Sequence, residues 1–259
     1  MLLWLLGCPT PVEDTSAEPR CAASDGQVLL DGVEVTSVAE AIDGATPWST
    51  LCLGAGDHLL VDEMEFPRHD VVPGKVQVHG VGPETRLMGA EDMPSAIGSP
   101  DHLEFADLTL MEISVFAGSM RVVDVRAESG NVLYSNRGTA LDSDLGEVWL
   151  WGRWTLGEGV SVKRVELDDA VVDGLYVEAA EDVAVTVRSP SVLREARLVG
   201  NPSGAVGIQA GAALEMVDVA FDGNACDLGF LSPEGVLECT QDTLGEVESL
   251  ACDDQGACQ

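Results

Sequence analysis

The sequence predicts an all-β chain wound into a parallel β-helix, and three observations support this prediction. Short segments in which apolar and polar residues alternate recur along the chain, as in ALEMVDVAFDGN (213–224) and LEFADLTLME (103–112). Further apolar runs such as KVQVHG (75–80) lie between them, which indicates two or three strands per turn. The uneven spacing of the copies is typical of a coil with variable loops rather than a strict short-period repeat. Because one such unit cannot bury its apolar face alone, the copies are expected to stack.

The coil is predicted to span residues 27–231, in about eight or nine turns of roughly two dozen residues each. Its first strand is predicted at QVLLDGVEV (27–35), and a short amphipathic helix follows. Ser37 and Glu40 have the spacing of a capping box at the start of that helix. Four apolar residues then recur on one helical face: Val38, Ala41, Ile42 and Ala45. This helix is expected to cover the open end of the coil, where strand edges would otherwise be unpaired.

Three segments resemble the right-handed parallel β-helix proteins of the pectin-lyase-like group. EVTSVAEAIDGATPWSTLCLGAGDHLL (34–60) is similar to the helix, strand and glycine turn that open such coils. KVQVHGVGPETRLMG (75–89) resembles the strands and turn that follow, and GAVGIQAGAALEMVDVAFDGN (204–224) resembles a later turn. The resemblance implies a right-handed coil and makes polysaccharide lyase or glycoside hydrolase activity one alternative. The shared motifs belong to the fold and not to a catalytic site.

The N-terminus resembles that of a bacterial lipoprotein. Residues 1–7 are predicted to be a signal segment, an apolar run that ends in Leu5-Leu6-Gly7 before Cys8, as in a lipobox. Residues 8–26 are expected to carry a lipid on Cys8 and a polar tether rich in Pro and acidic residues. Pro9 rather than Asp follows the cysteine, which in lipoproteins of this kind goes with the outer membrane. The alternative is a short apolar terminus with a free cysteine, since no basic residue precedes the apolar run.

The other six cysteines predict disulfide bonds in an exported protein. They are Cys21, Cys52, Cys226, Cys239, Cys252 and Cys258. Their clustering favours a Cys21–Cys52 bond and local bonds among the last four. Residues 232–259 are therefore predicted to form a cysteine-rich tail that covers the other end of the coil. No run of eighteen apolar residues is present, so a lipid anchor is the expected contact with a membrane.

The charge of the chain limits its partners. It has 45 Asp and Glu against 13 Lys and Arg, a formal net charge of −32. A field of that sign repels phosphate backbones and polyanionic sugars, which argues against nucleic-acid binding. The simpler interpretation is a solvated surface that keeps the protein soluble.

Catalytic and metal-binding patterns in the sequence are weak. Asp168 and Asp169 resemble the paired carboxylates of glycoside hydrolases, but neighbouring residues on a strand point to opposite faces. No cluster of basic residues with carboxylates is recognisable. Asp142 and Asp144 are two positions apart, as the first acidic ligands of a calcium-binding loop are. Arg153, however, stands at the twelfth position, where an EF-hand needs a bidentate Glu. A structural Ca²⁺ ion at Asp142 and Asp144 is therefore the one cofactor considered.

The segment WLWGRW (149–154) has some character of a binding site. Trp149 and Trp151 share one face of a strand, and outward-pointing indoles would form a platform for a sugar ring. Arg153 would then supply a nearby donor. Alignment with the other repeats favours the opposite interpretation, in which both Trp side chains belong to the core.

Three classes of function follow. The first is a non-catalytic, lipid-anchored protein that binds a glycan or a surface protein. The second is a lyase or hydrolase with this fold, and the third is a structural component of the cell envelope. An exposed aromatic ladder would favour glycan binding, whereas carboxylates gathered with Arg or Lys in one groove would favour an enzyme.

Overall fold

The chain forms an all-β solenoid of about seven turns, with 62% of its residues in strands and one short helix. The computed structural model describes residues 21–60, 63–65, 75–89, 95–128, 130–233, 235–253 and 257–258. The predicted parallel β-helix is confirmed. The number of turns is lower than predicted because the segment before Thr50 forms a cap and adds no parallel turn.

The described strands follow one another in chain order. They are β1 Val28–Leu30, β2 Val33–Val35, β3 Thr50–Leu53, β4 Gly56–Leu60, β5 Glu63–Glu65, β6 Lys75–His79, β7 Thr85–Gly89, β8 Ala96–Met111, β9 Ser114–Ala127, β10 Asn131–Leu141, β11 Glu147–Leu156, β12 Arg164–Asp173, β13 Tyr176–Glu178, β14 Val185–Val187, β15 Ser191–Arg194, β16 Arg197–Val199, β17 Val206–Gln209, β18 Leu214–Asp222, β19 Leu228–Leu231, β20 Leu237–Gln241 and β21 Glu246–Cys252. The helix α1 spans Val38–Gly44.

Turn length varies along the coil. Residues that face each other on neighbouring turns are 27 apart at Gln77 and Glu104 but only 17 apart at His102 and Ser119. Each of these shorter turns contains three strand segments. In β8 and in β9 the three segments follow one another without an intervening loop, so each turn is one continuous strand. The segments meet at corners, one of which lies at Asp107 and Asp124 on successive turns. Both residues have positive φ values, 56° and 52°, a conformation that Asp tolerates better than most residues.

The N-terminal cap differs in part from the prediction. The predicted strand at 27–35 is a hairpin, in which β1 and β2 pair antiparallel around Asp31-Gly32, a dipeptide suited to tight hairpin turns. The Ser37 side chain caps α1 by accepting from the Glu40 N–H at 3.1 Å, as predicted. The four predicted apolar residues of the helix face are all buried.

Antiparallel strands close both ends of the parallel stack. β1 pairs antiparallel with β3 at one end, whereas β20 and β21 pair antiparallel with β19 and β18 at the other. The structure confirms the predicted disulfides, with bonds Cys21–Cys52, Cys226–Cys239 and Cys252–Cys258. The Cys21–Cys52 bond closes a sequence separation of 31, which by loop-closure entropy stabilises the fold by about 3–4 kcal/mol. In the described part of the chain, no helix has the length and apolarity to cross a membrane.

The core consists of the inward-facing residues of every strand segment. Trp154 is the largest of the fully buried side chains and lies in register with Gly138 of the preceding turn. A Cβ atom at Gly138 would come within 2.4 Å of the Trp154 ring, so glycine makes room for the indole. Its Nε1–H donates to the Trp151 carbonyl at 3.0 Å, which satisfies the buried donor.

Replacing Trp154 with Ala should lower the free energy of unfolding by about 3–5 kcal/mol, because the substitution leaves a large cavity in the core. Trp48→Ala is the matched control, since Trp48 is 65% exposed and its loss should change stability by less than about 0.5 kcal/mol. Urea unfolding of both variants measures the difference. Equal losses of stability would contradict the assignment of Trp154 to the core.

Candidate functional site

Two groups of outward-facing side chains stand out on the solenoid. Because strands pair in parallel and in register, residues at matching positions of successive turns form columns about 4.8 Å apart. Side chains alternate between the core and the surface along each strand segment. A column therefore gathers residues that are far apart in sequence.

The first group, the aromatic column, consists of Phe116, Tyr134, Trp149 and Trp151. Phe116 pairs in register with Tyr134, and Tyr134 with Trp151. The ring centroids of neighbouring members lie 6.0 Å (Phe116 and Tyr134), 5.9 Å (Tyr134 and Trp151) and 6.0 Å (Trp149 and Trp151) apart. These separations are typical of aromatic pairs in contact. Phe116 is 39% exposed and the other three side chains are partly exposed.

The prediction that Trp149 and Trp151 belong to the core is wrong. Val148 and Leu150 are the inward residues of this segment, with 4% and 0% exposure. Trp149 and Trp151 alternate with them along the strand, so the two indoles lie on its outer face. The repeat alignment was out of step by one residue, which on a strand exchanges the two faces. Both indole nitrogens are nevertheless buried, and neither N–H has an acceptor within the described residues.

Arg153 lies beyond the corner at Gly152, where φ is 81°, and its side chain is exposed. Arg153 belongs to the strand segment that follows the two tryptophans, and there it pairs in register with Val171 of β12. A different arginine contacts the column, because the Arg188 guanidinium carbon lies 4.6 Å from the centre of the Trp149 ring. This distance is that of a cation–π interaction. Arg188 lies 39 positions after Trp149 and meets it only through the winding of the chain, so no local signal in the sequence points to this contact.

A small cleft adjoins Trp149. Its volume is about 200 Å³, and its lining includes Val132, Glu147, Arg164 and Glu166. The Glu166 carboxylate accepts from Arg188 at 2.5 Å and from Arg164 at 3.3 Å, which holds both guanidinium groups in place. Small-molecule pockets usually measure about 300–1,000 Å³. The cleft therefore suits one group at the end of an elongated ligand rather than a whole enclosed molecule.

The second group, the polar cluster, lies on a neighbouring strand segment of three successive turns. Its members alternate with apolar core residues on β6, β8 and β9, so that all of them point outward: Lys75, Gln77, His79, His102, Glu104, Ser119 and Arg121. On each strand these residues are two positions apart. Residues that pair between turns are 27 positions apart from β6 to β8 and 17 positions apart from β8 to β9. The structure therefore gathers basic residues around a carboxylate, a cluster that was not recognisable in the sequence.

Glu104 occupies the centre of the polar cluster. Its carboxylate accepts from Lys75 at 2.6 Å and from Gln77 at 3.0 Å, and Arg121 lies 3.4 Å away. These neighbours cover Glu104 so completely that it is only 3% exposed although it points away from the core. His79 is equally buried, and its Nε2 makes a long contact of 3.4 Å with the Glu104 carboxylate, whereas its Nδ1 has no partner within the described residues.

The surroundings of Glu104 favour its charged form. The contact with His79 has the largest effect, and together with Lys75 and Gln77 it holds the pKa of Glu104 well below the usual range, against the opposing effect of burial. The cluster is therefore anchored by a carboxylate that stays ionised throughout the physiological range.

The weaker candidates have structural contacts of their own. Asp144 Oδ1 accepts from the Gly146 N–H and the Ser161 hydroxyl, both at 3.2 Å, as in a polar turn. Across the described part of the chain no three His, Cys, Asp or Glu side chains are grouped to hold a metal ion, and calcium at Asp142 and Asp144 stays a prediction. Asp168 contacts the Ser189 hydroxyl, whereas Asp169 occupies a corner with φ of 50°. The lipid attachment predicted at Cys8 lies outside the described residues.

No known protein family, curated protein or solved structure matches the chain.

Replacing Glu104 with Gln should lower the free energy of unfolding at pH 7 by about 2–3 kcal/mol, because it removes the ionised acceptor of a largely buried network. The pKa of Glu104 is depressed in the folded state, so its stabilising effect is present above the carboxyl range near pH 4 and is lost as the pH falls further. The difference between wild type and variant should therefore shrink at pH 3. Urea unfolding at both pH values measures it.

Glu215→Gln is the matched control for this prediction, since Glu215 is an exposed carboxylate on β18. It should change stability by less than about 0.5 kcal/mol at either pH. A Glu104→Gln variant as stable as wild type at pH 7 would contradict the account of the cluster.

Proposed function

We propose that this protein is a lipid-anchored, extracytoplasmic β-helix that binds a neutral glycan along the aromatic column without cleaving its backbone. The observation that carries the proposal is the column itself, in which four aromatic rings from three successive turns meet on the outside of the coil. Aromatic side chains offer apolar faces to the C–H groups of sugar rings.

The direction of the column supports an elongated ligand. Phe116, Tyr134 and Trp151 follow one another across the strands, along the axis of the coil. A chain of sugar residues laid along this axis would meet one ring on each turn. Its end would reach the cleft beside Trp149, which Arg164 lines.

Charge favours a neutral ligand over a polyanionic one. The net charge of −32 repels pectin-like and alginate-like chains at long range. The two arginines nearest the column are already paired with Glu166, so they do not offset that repulsion. A protein partner with an apolar patch is the second candidate, because exposed apolar surface also serves protein interfaces.

Replacing Trp151 with Ala should weaken the binding of a neutral oligosaccharide by about tenfold or more, since the loss of a central aromatic anchor typically costs about 2 kcal/mol and tenfold corresponds to about 1.4 kcal/mol. Trp149→Ala should act in the same direction. Isothermal titration with a panel of neutral and uronate-containing oligosaccharides measures the affinities, with Trp48→Ala as the control outside the column.

The melting temperature of each Trp variant separates binding from folding. Trp151→Ala should remain close to wild type, unlike Trp154→Ala. If no neutral glycan binds to wild type, or if Trp48→Ala weakens binding as much as Trp151→Ala, the proposed site is wrong. Binding of a protein in place of any glycan would support the second candidate.

Replacing Cys8 with Ser should move the protein from the detergent phase to the aqueous phase in a phase-separation experiment on whole cells. The reason is that a lipid on Cys8 supplies the membrane affinity, at about 0.8 kcal/mol for each buried methylene. Mass spectrometry of the N-terminal peptide should show the lipid in wild type only. Equal partitioning of both proteins would remove the anchor from the proposal.

A further inference from the structure

Ser119 and His102 form a hydrogen-bonded pair in the polar cluster that glycan binding does not use. They are in-register partners on β9 and β8, and the Ser119 hydroxyl lies 2.8 Å from His102 Nδ1. Both side chains are partly exposed, so a ligand can reach them from solvent. The separation is that expected for a hydroxyl nucleophile and its general base.

The neighbours of His102 keep its imidazole neutral. Burial has the largest effect, and the positive charge of Lys75 on β6 adds to it, so that the pKa of His102 lies below its usual value of 6.5. Arg121 on β9 acts in the same direction, whereas Glu104 on β8 opposes it. A neutral imidazole can accept the proton of the Ser119 hydroxyl at pH 7.

The geometry points to Ser119 and His102 as the nucleophile and general base of an esterase that removes O-acyl groups from a glycan bound on the aromatic column. The class of substrate rests on the proposed function, whereas the reactivity of the pair does not. Deacylation leaves the backbone of the glycan intact, in agreement with a protein that binds a polysaccharide without cleaving its chain.

The position of the pair relative to the column supports this substrate. Phe116, at one end of the column, precedes Ser119 by three residues on the same strand. Three residues span at most about 11 Å. An acyl group on a sugar that is stacked near Phe116 therefore lies within reach of the Ser119 hydroxyl around one corner of the coil.

The reaction needs only the ester and water. The Ser119 oxygen attacks the acyl carbon while its proton moves to His102 Nδ1, and the bond from the acyl carbon to the sugar oxygen then breaks. The sugar oxygen takes the proton from His102 and leaves as a hydroxyl. Water, deprotonated by His102, hydrolyses the acyl-serine to a carboxylic acid and restores Ser119.

Arg121 is placed to stabilise the negative charge that develops on the acyl oxygen. It follows Ser119 by two residues on β9, so both side chains lie on the same face of the strand. Its side chain is 42% exposed, and among the described residues its contact is a long one of 3.4 Å with Glu104, so further N–H groups can donate to an oxyanion.

Two substrates test the pair independently of the glycan site. p-Nitrophenyl acetate reports on Ser119 and His102 alone, and an acetylated neutral oligosaccharide reports on the pair together with the column. Ser119→Ala and His102→Gln should each lower acetate release from both by about 100-fold or more. Ser114→Ala, another hydroxyl deletion on β9, should leave both rates unchanged. Trp151→Ala should slow only the reaction of the oligosaccharide.

Labelling and pH dependence complete the test. A fluorophosphonate should modify Ser119 of the wild-type protein. The rate of ester hydrolysis should fall as the pH drops below the usual range of histidine, because His102 is then protonated. Absence of both hydrolysis and labelling would overturn the inference, while glycan affinity measured by titration would leave the proposed function standing. Hydrolysis of p-nitrophenyl acetate without glycan binding or glycan deacetylation would overturn the substrate class and the proposed function.

Discussion

The parallel register between successive turns is the constraint on which the rest of the structure depends. Each backbone segment pairs with the segment one turn away, and a slip of one residue would exchange the core and surface faces of a whole strand. Register therefore decides at once that Leu150 and Trp154 are buried and that Trp149 and Trp151 are not. It also brings Lys75, His102 and Ser119 into one column although they come from three different turns.

The same constraint accounts for part of the acidic composition. Short turns need sharp corners, and eight of the ten described non-glycine residues with positive φ are Asp or Glu. Asp tolerates this conformation because its short carboxylate can bond the nearby backbone. Asp31 shows the same conformation in the hairpin of the N-terminal cap, where its carboxylate accepts from the Ser49 hydroxyl at 2.9 Å and from the Thr50 N–H at 2.7 Å. Some of the negative charge thus serves backbone geometry, besides any effect on solubility or on the choice of ligand.

Local signals in the sequence predicted the elements that depend on local interactions. The capping residue Ser37, the apolar face of α1 and the pairing of nearby cysteines were all predicted correctly, because each involves residues close together in the chain or in a cluster. The repeated alternation also predicted the parallel β-helix. The hairpin at 27–35 was missed even though its Asp-Gly turn was visible, since the flanking residues also suit one continuous strand.

The candidate sites were harder to predict because they depend on turn length. The sequence indicates that Trp149 and Trp151 could bind a sugar. Whether the two indoles point outward depends on the register of the strand, which an uneven repeat does not define. The polar cluster needs spacings of 27 and 17 residues at once, and no single period aligns its members. One signal was nevertheless present, since KVQVH, HLE and SMR each carry polar residues at alternate positions within apolar strands.

The most direct test of the register is the reactivity of single cysteines in the folded protein. In a Cys8→Ser background, Tyr134→Cys and Trp151→Cys should react readily with a maleimide, whereas Leu133→Cys and Leu150→Cys should stay protected until the protein unfolds. The double variant with cysteines at 134 and 151 should also form a disulfide on oxidation, because neighbouring parallel strands hold in-register Cα atoms about 4.8 Å apart. Protection at 134 and 151 with reactivity at 133 and 150 would contradict the aromatic column and the account built on it.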